Sequence, residues 1–304
     1  MRNVESNFRQ SIPGVGSLAL GLVFVSSNAL AELTPLADEE MSEMTGQAMI
    51  AFDAVEVAGG NTYTRATVGL TSEFQINTDS VVLGEYALAG ATPSSDVDIS
   101  RLSFGHISTD ASKVQLDGNT YALDDIVPFE TIDPYFEISQ DSTGELTGFR
   151  VGFGRARGTM SGNIGSLSGN IGLKLDDGGV ISDAQLLTSA GVANSQRATH
   201  IGLESATTDC ATLNKCAPLT NIKTLDVGTD NGNGTVGYTR DLFFSFQNQA
   251  TDWQVNDGTG TGTVTANPGV YLNIPTSMTL DMTQLTSGVN RVRTEYIDRG
   301  VGVF

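Results

Sequence analysis

The stretch AMIAFDAVEVAGGNTYTRATVGLTSEFQINTDSVVL, residues 48–83, decides the fold class. At its start Ile50, Phe52 and Ala54 alternate with Met49, Ala51 and Val55, so that the two sets of side chains lie on opposite faces of an extended chain. Residues 63–83 continue with β-branched and aromatic residues and show no helical spacing. The stretch therefore predicts consecutive β-strands.

The same character continues along the chain. Further strands are predicted at Arg101–Ile107, Lys113–Leu116, Tyr135–Ile138, Gly148–Ala156, Asn170–Leu175, Val180–Leu187, Val236–Gln247, Trp253–Val255, Val270–Ile274, Met278–Met282 and Val292–Ile297. Turn sequences such as DGN at 117–119 and DGG at 177–179 separate them. Many short strands without helices between them predict an all-β fold over residues 48–304, an antiparallel sandwich or a barrel-like domain.

A short internal echo adds an alternative. The motif SGNIG occurs at residues 161–165 and again at 168–172. A solenoid-like part would explain it, but solenoids normally need three or more repeats. A bent or bulged glycine-containing strand explains it slightly better.

The segment before these strands, residues 32–47, predicts a short helix. Thr34 is a suitable N-cap, Pro35 suits the first helical position and Gly46 suits the end. Apolar residues at positions 33, 36, 37, 41 and 44 have helical spacing, and the acidic residues at 38, 39, 40 and 43 lie mostly on the other side.

Residues 1–31 have the organisation of a secretory signal peptide. Arg2 and Arg9 precede the apolar run Val15–Val25, and Ala29-Leu30-Ala31 suits the cleavage site. The apolar run is too short to span a bilayer, so a membrane anchor is the less favoured interpretation. The sequence predicts export, to the cell surface or the exterior, with the periplasm and the outer membrane as alternatives.

The composition excludes one class of partner. The chain has 16 Lys+Arg against 35 Asp+Glu, a formal net charge of -19. This balance repels nucleic acid and provides no basic stripe, and it suits solubility outside the cytoplasm. The sequence contains no apolar run long enough for a transmembrane helix.

The two cysteines, Cys210 and Cys216, predict a disulfide that closes a short loop, because an exported protein matures in an oxidising compartment. A zinc site would need more ligands than this chain offers nearby.

Candidate chemistry is sparse, and we expect no enzyme. The chain has two histidines, His106 and His200, and the acidic pair Glu130 and Asp133 needs no catalytic explanation in so acidic a protein. A GxGxxG match at Gly232–Gly237 lacks the strand-then-helix context of a dinucleotide loop. The sequence identifies no cofactor with certainty, and calcium is the candidate that it leaves open.

Calcium is the metal ion for which the sequence offers candidate ligands. Four oxygen-bearing residues crowd a glycine-rich loop and form the candidate site: Asp226, Asp230, Asn231 and Asn233. The EF-hand spacing is missing, so an ordinary turn is the favoured interpretation and calcium the alternative.

Residues 33–48, LTPLADEEMSEMTGQA, resemble the opening LxxLxDxx(L/M)SxxTGQA of a little-characterised family of Gram-negative exported proteins that includes pilus-system (Fil-type) proteins. The likeness continues in shorter matches at residues 63–83, 96–105, 134–138 and 148–152, with a weaker echo at 288–293. The resemblance implies export and a role in a surface appendage or the envelope, and it brings no catalytic residues.

Together these observations predict a structural protein that associates with copies of itself in a filament or pilus-like appendage. Ile50, Phe52 and Ala54 are the candidate self-association strand, which would join a neighbour's sheet by β-strand addition, although residues 48–57 also suit the first strand of their own domain. The alternative is a calcium-stabilised adhesin or carbohydrate-binding module with a surface or carbohydrate contact. An outer-membrane β-barrel ending on Phe304 is less favoured, because aromatic residues make up 7% of the chain.

Overall fold

A computed structural model describes residues 50–56, 60–87, 95–256 and 261–295. The predicted signal peptide, the predicted helix at 32–47 and the C-terminal Phe304 lie outside these ranges. The strands, in chain order, are β1 (Ile50–Glu56), β2 (Thr62–Val68), β3 (Thr71–Phe74), β4 (Ile76–Leu83), β5 (Val97–Phe104), β6 (His106–Ile107), β7 (Ile126–Val127), β8 (Phe129–Gln140), β9 (Leu146–Leu167), β10 (Gly169–Ile171), β11 (Lys174–Asp177), β12 (Val180–Asp183), β13 (Gln185–Leu187), β14 (His200–Gly202), β15 (Cys216–Pro218), β16 (Thr224–Val227), β17 (Thr229–Asp230), β18 (Val236–Gly237), β19 (Leu242–Gln247), β20 (Thr251–Asn256), β21 (Thr261–Ala266), β22 (Gly269–Ile274) and β23 (Thr279–Asp281). A 3₁₀ turn at Leu219–Asn221 and a helix, α1 (Met282–Ser287), accompany them.

The long strand β9 organises the molecule. Up to Arg157 it pairs with β8, and from Gly158 it pairs with β16 and then β5. Gly158 has φ +129, and a Cβ added there would lie 2.9 Å from the Phe129 ring. Only glycine adopts this conformation easily, and at this residue the partners of β9 change from a strand of one sheet to strands of another.

Two sheets therefore share β9. The first sheet has the order β1-β2-β8-β9-β19-β22-β10, and the second consists of β4, β5, the later part of β9, and β16. Most pairs are antiparallel, and β10 with β22 and β11 with β23 are parallel. The principal core includes Val97, Ile99, Phe129, Met160, Ile164, Leu225 and Leu272. The predicted all-β, sandwich-like fold is confirmed.

Smaller sheets surround this core. The orders β12-β11-β23 and β13-β14-β15 form two three-stranded sheets, and α1 packs near β23. Asp281 caps α1 by accepting a hydrogen bond from the Gln284 backbone N–H, and the Gln284 side chain in turn accepts one from the Asp281 N–H.

One face of the first sheet packs against the principal core, and the hairpin β20–β21 covers its other face. The hairpin's Trp253 is fully buried in a second apolar cluster with Tyr63, Tyr135, Phe243 and Tyr271. The first sheet thus has apolar residues buried on both of its faces, though over different parts of its width.

Several strand boundaries differ from the sequence expectations. Residues 113–116 contain only an isolated bridge from Val114 to Thr120, because the chain turns at once at 117–119. Residues 292–295 contain no strand, and the predicted strand at 170–175 is divided into β10 and β11. The SGNIG echo lies along β9 and β10, which matches the bent-strand interpretation rather than a stack of repeats.

Candidate functional site

The edge strand β1 carries the exposed side chains that the sequence singled out. It pairs with β2 from Ile50 opposite Val68 onward, and no strand of the described residues pairs with its other edge. Ile50 is 57% exposed and Phe52 is 76% exposed, and Ala54 is also exposed. The three predicted residues therefore present one apolar row to the surroundings.

This row continues across three more strands. Phe52 lies opposite Ala66, Ala66 opposite Phe136, and Phe136 opposite Val151. Paired residues in a sheet point to the same side, so these side chains share a face. We call it the apolar face, and its members are Ile50, Phe52, Ala54, Phe136, Phe149 and Val151.

The apolar face is partly aromatic. Phe136 and Val151 are 46% and 49% exposed. The Phe149 ring centroid lies 5.7 Å from that of Phe136 and 4.8 Å from that of Phe246. On the same side of the sheet, Phe244 and Leu272 reach the principal core. The apolar face is thus the part of this side that the described residues do not cover.

A buried ionic cluster holds the sheet from its other side. Glu137 accepts hydrogen bonds from the guanidinium groups of Arg65 and Arg150, and Arg150 is fully buried. The Arg150 Cζ lies 4.9 Å from the Phe243 ring centroid and 5.1 Å from that of Trp253. These contacts replace part of the hydration that the charges lose on burial, and they connect β2, β8 and β9 on the side opposite the apolar face.

A polar cleft lies between the hairpin β20–β21 and the end of the first sheet. It encloses about 300 Å³ and is lined by Asn170, Thr229, Tyr238, Thr239, Arg240, Asp241, Val255, Val264, Asn273 and Pro275. The Asn273 side chain donates to the Asp241 backbone carbonyl at 2.8 Å, and the Asn170 side chain donates to the Asn273 amide oxygen at 3.2 Å. Asp241 has φ +62, an uncommon conformation for a residue with a side chain. The cleft is therefore lined by amides that hydrogen bonds orient and by the guanidinium of Arg240 and the phenol of Tyr238.

The candidate calcium residues occupy two different settings. Asp226 lies on β16, and burial raises the pKa of its carboxyl group. Asp230 and Asn233 lie in an exposed turn, where their side-chain oxygens accept hydrogen bonds from the backbone N–H groups of Gly232 and Thr235. Asn231 donates to the Thr235 hydroxyl. Within the described ranges, no group of three or more His, Cys, Asp or Glu side chains is placed to hold a metal ion.

The residues considered for catalysis have structural partners. Glu130 accepts hydrogen bonds from Arg157 at 2.9 and 3.0 Å, and Asp133 lies 3.7 Å from Arg155. His106 is buried, and this burial lowers its pKa. Its ring nitrogens lie 2.9 Å from the Thr159 hydroxyl and 3.2 Å from the Gln115 amide oxygen.

The predicted cysteine pair is at disulfide distance. Cys210 and Cys216 are bonded, with their Cα atoms 4.9 Å apart. Cys216 is fully buried on β15 and packs with Leu187, so the bridge ties an exposed loop to the small sheet β13-β14-β15.

The sequence patterns did not identify two sets of surface residues. Phe136 and Val151 show the period-two alternation of their strands, but their place beside Phe52 depends on the pairing register of four strands. The cleft residues Arg240 and Asn273 come from separate segments and carry no local motif.

These features define the class: an all-β, sandwich-like protein with an apolar edge strand and a polar cleft. Within the described ranges, no helix is long and apolar enough to cross a membrane. No protein-family model, no curated protein and no solved structure matches the chain.

Proposed function

We propose that this protein is an exported or envelope-associated structural subunit that associates with copies of itself in a filament or pilus-like appendage, by adding a strand along β1. The observation that carries the proposal is the edge strand β1, which bears exposed Ile50 and Phe52. An exposed apolar edge strand is normally blunted in a monomer by charge, proline or a bulge. In β1 the charged residues are Asp53 and Glu56, and there is no proline.

Strand addition suits this edge for a physical reason. Backbone N–H and C=O groups along the free edge of β1 can pair with a second chain, and alternating side chains would set the register. A head-to-tail contact whose rotation does not close into a ring extends into a fibre, which is the geometry proposed here. The net charge of -19 opposes close approach of two copies, which makes an apolar contact the more suitable one.

The first test is the state of the exported chain. The full chain is expressed in a Gram-negative host, the N-terminus of the product is determined by mass spectrometry, and the purified protein is studied by negative-stain electron microscopy and sedimentation velocity. We expect a product that begins at residue 32 and filaments that grow with concentration. A uniform monomer at all concentrations would overturn the proposal.

Proline substitutions then test the edge. Successive residues of a strand direct their N–H groups to opposite edges. One of the two variants Asp53→Pro and Ala54→Pro therefore removes an N–H group from the free outer edge of β1, and we call it the outward variant. The other removes an N–H group that pairs with β2. We expect the outward variant to abolish assembly without lowering thermal stability. The matched control is Ser182→Pro in β12, another edge strand with exposed apolar residues, which should leave assembly intact.

A second candidate function, carbohydrate binding, is favoured by the polar cleft. Its volume suits a ligand the size of a monosaccharide, and its amide, guanidinium and phenol groups match the hydroxyls of a sugar. A panel of mono- and disaccharides is tested by saturation-transfer NMR, with Arg240→Ala as the cleft variant and Arg155→Ala as an exposed-arginine control. Binding that only Arg240→Ala removes would support this function, and calcium dependence would add support for the adhesin alternative.

A further inference from the structure

The turn between β17 and β18 contains both Asn-Gly pairs of the chain. The sequence Asn231-Gly232-Asn233-Gly234 closes this hairpin, and all four residues are exposed. Apart from the neighbouring residues, no described atom lies within 4 Å of the position that a Cβ would take on either glycine. The peptide nitrogen of each glycine is therefore unshielded and accessible to water.

An asparagine followed by glycine can lose its side-chain amide without an enzyme, which is one reason why asparagine is a thermolabile residue. The glycine nitrogen gives its proton to hydroxide and attacks the asparagine Cγ. The bond from Cγ to the side-chain nitrogen breaks, and this nitrogen leaves as ammonia after taking a proton from water. The resulting succinimide ring takes up one water molecule and opens to aspartate or isoaspartate. The net reaction consumes water and releases ammonia, so it needs no other reactant.

Asn233 has an activated side-chain carbonyl and an available nucleophile. Its Oδ1 accepts hydrogen bonds from the Thr235 backbone N–H at 3.1 Å and from the Thr235 hydroxyl at 2.7 Å. Two donors on one oxygen stabilise the negative charge that develops there when Cγ is attacked. Within the described ranges, no protein group accepts a hydrogen bond from the Gly234 N–H. The Gly234 nitrogen can therefore attack without breaking a contact.

Asn231 has the opposite arrangement. The Gly232 N–H, whose nitrogen would attack the Asn231 Cγ, donates to the Asp230 carboxylate at 2.8 Å. A negative charge beside this nitrogen opposes the loss of its proton. The Asn231 side-chain nitrogen also donates to the Thr235 hydroxyl at 3.0 Å, which holds the amide in place. The same threonine thus activates Asn233 and restrains Asn231.

We propose that Asn233 is a site of spontaneous deamidation in the folded protein, and that Thr235 makes it react before Asn231. The product carries a negative charge, and isoaspartate adds one methylene to the backbone of the turn. Thr229 and Tyr238, at the two ends of this hairpin, line the polar cleft, so the modification changes a segment that borders the cleft. The proposal depends neither on filament formation nor on ligand binding.

An isotope experiment tests this assignment. The full chain is incubated at neutral pH in water enriched in ¹⁸O and is then digested in ordinary water. Opening of the succinimide introduces one ¹⁸O, so mass spectrometry distinguishes new product from aspartate that was present before. Asn119 and Asn248 are internal controls, because they are exposed but are not followed by glycine. We expect product at Asn233 about tenfold faster than at Asn231, and none at the two controls over the same period.

Thr235→Val removes the hydroxyl and keeps the backbone N–H and the shape of the side chain. We expect it to slow Asn233 about threefold, because water replaces part of the lost donor, and to accelerate Asn231, whose side chain loses its partner. A turn that was only loosened would react faster at both positions, so the opposite shifts identify the hydroxyl. Thr235→Ser should restore both rates.

Unfolding in urea is the second control. Without the folded turn, Asn231 and Asn233 should react at similar rates, because each is followed by glycine. Three results would each overturn the proposal: a folded chain that reacts at Asn231 as fast as at Asn233 or faster, a folded chain without product at Asn233 while the unfolded chain reacts there, or Thr235→Val rates that do not move in opposite directions.

Discussion

The buried ion pair between Asp96 and Arg197 makes a quantitative prediction about stability. The Arg197 Nε donates to the Asp96 Oδ1 at 2.9 Å, and the two side chains are 2% and 1% exposed. The Asp96 Oδ2 accepts a hydrogen bond from the Val270 N–H at 2.9 Å, and Arg197 also donates to the Tyr86 carbonyl at 2.9 Å. One ion pair thus joins β22, the loop before β5 and the segment before β14.

Asp96→Asn preserves the shape of the side chain and removes its charge. Arg197 then loses the charge of its buried ion-pair partner, a change that typically costs about 3–5 kcal/mol. Because native proteins are stable by about 5–15 kcal/mol, we expect a loss of roughly a fifth or more of the total and a fall in Tm of roughly 10 °C. Urea denaturation followed by the fluorescence of Trp253, the single tryptophan, measures this cost.

Asp133→Asn is the matched control. Asp133 pairs with Arg155 at 3.7 Å, but those side chains are 37% and 45% exposed. Exposed pairs contribute about 0–1 kcal/mol, so the same chemical change should cost little there. Equal losses for the two variants would refute the reasoning, because burial would then not determine the cost. Asp96→Asn combined with Arg197→Gln should cost less than the sum of the single variants.

Three further predictions concern the core, the disulfide and pH. Trp253→Ala empties the centre of the cluster under the hairpin β20–β21, and it should lower the free energy of unfolding by about 3–5 kcal/mol, measured by thermal denaturation. The exposed control Val180→Ala should lower it by less than roughly 0.5 kcal/mol. Replacing both Cys210 and Cys216 by alanine should cost about 2 kcal/mol, the chain-entropy value for so short a loop, and the reduced wild type should match the variant. Burial raises the pKa of Asp226 above 3.8, so the folded state holds its proton to higher pH than the unfolded state does, and this group makes stability fall as pH rises from about 4 towards the raised pKa. Asp226→Asn should remove that fall when urea denaturation at pH 4 and pH 7 is compared, and an unchanged difference would contradict the assignment.

Local pattern was sufficient for the fold class and for most strand positions. Alternation at Tyr135–Ile138 and Gly148–Ala156 correctly located the centres of β8 and β9, because side-chain period is a property of a few adjacent residues. The strand ends were less predictable. The predicted strand at 236–247 is interrupted before β19, where Asp241 has positive φ and its backbone carbonyl accepts a hydrogen bond from Asn273 on β22. No local signal carries that long-range contact.

The helix α1 was missed for a similar reason. Asp281 and Gln284 form a capping box, a signal that is present in the sequence, and Gly288 ends the helix. The preceding residues have strand-like character, however, and a six-residue helix is too short to show a clear period. Its single buried residue, Leu285, depends on packing for its stability.

By itself, the sequence determined the period of the strands, the cysteine pair and the apolar row Ile50, Phe52 and Ala54, because each depends on residues close together in the chain. The tertiary structure alone decided that Phe136 and Val151 extend this row, that Arg150 is buried beneath it, and that a cleft forms near Arg240. The physical reason is register: which residues of distant strands lie opposite one another is set by the packing of the whole sheet against its core, and that packing involves residues hundreds of positions apart.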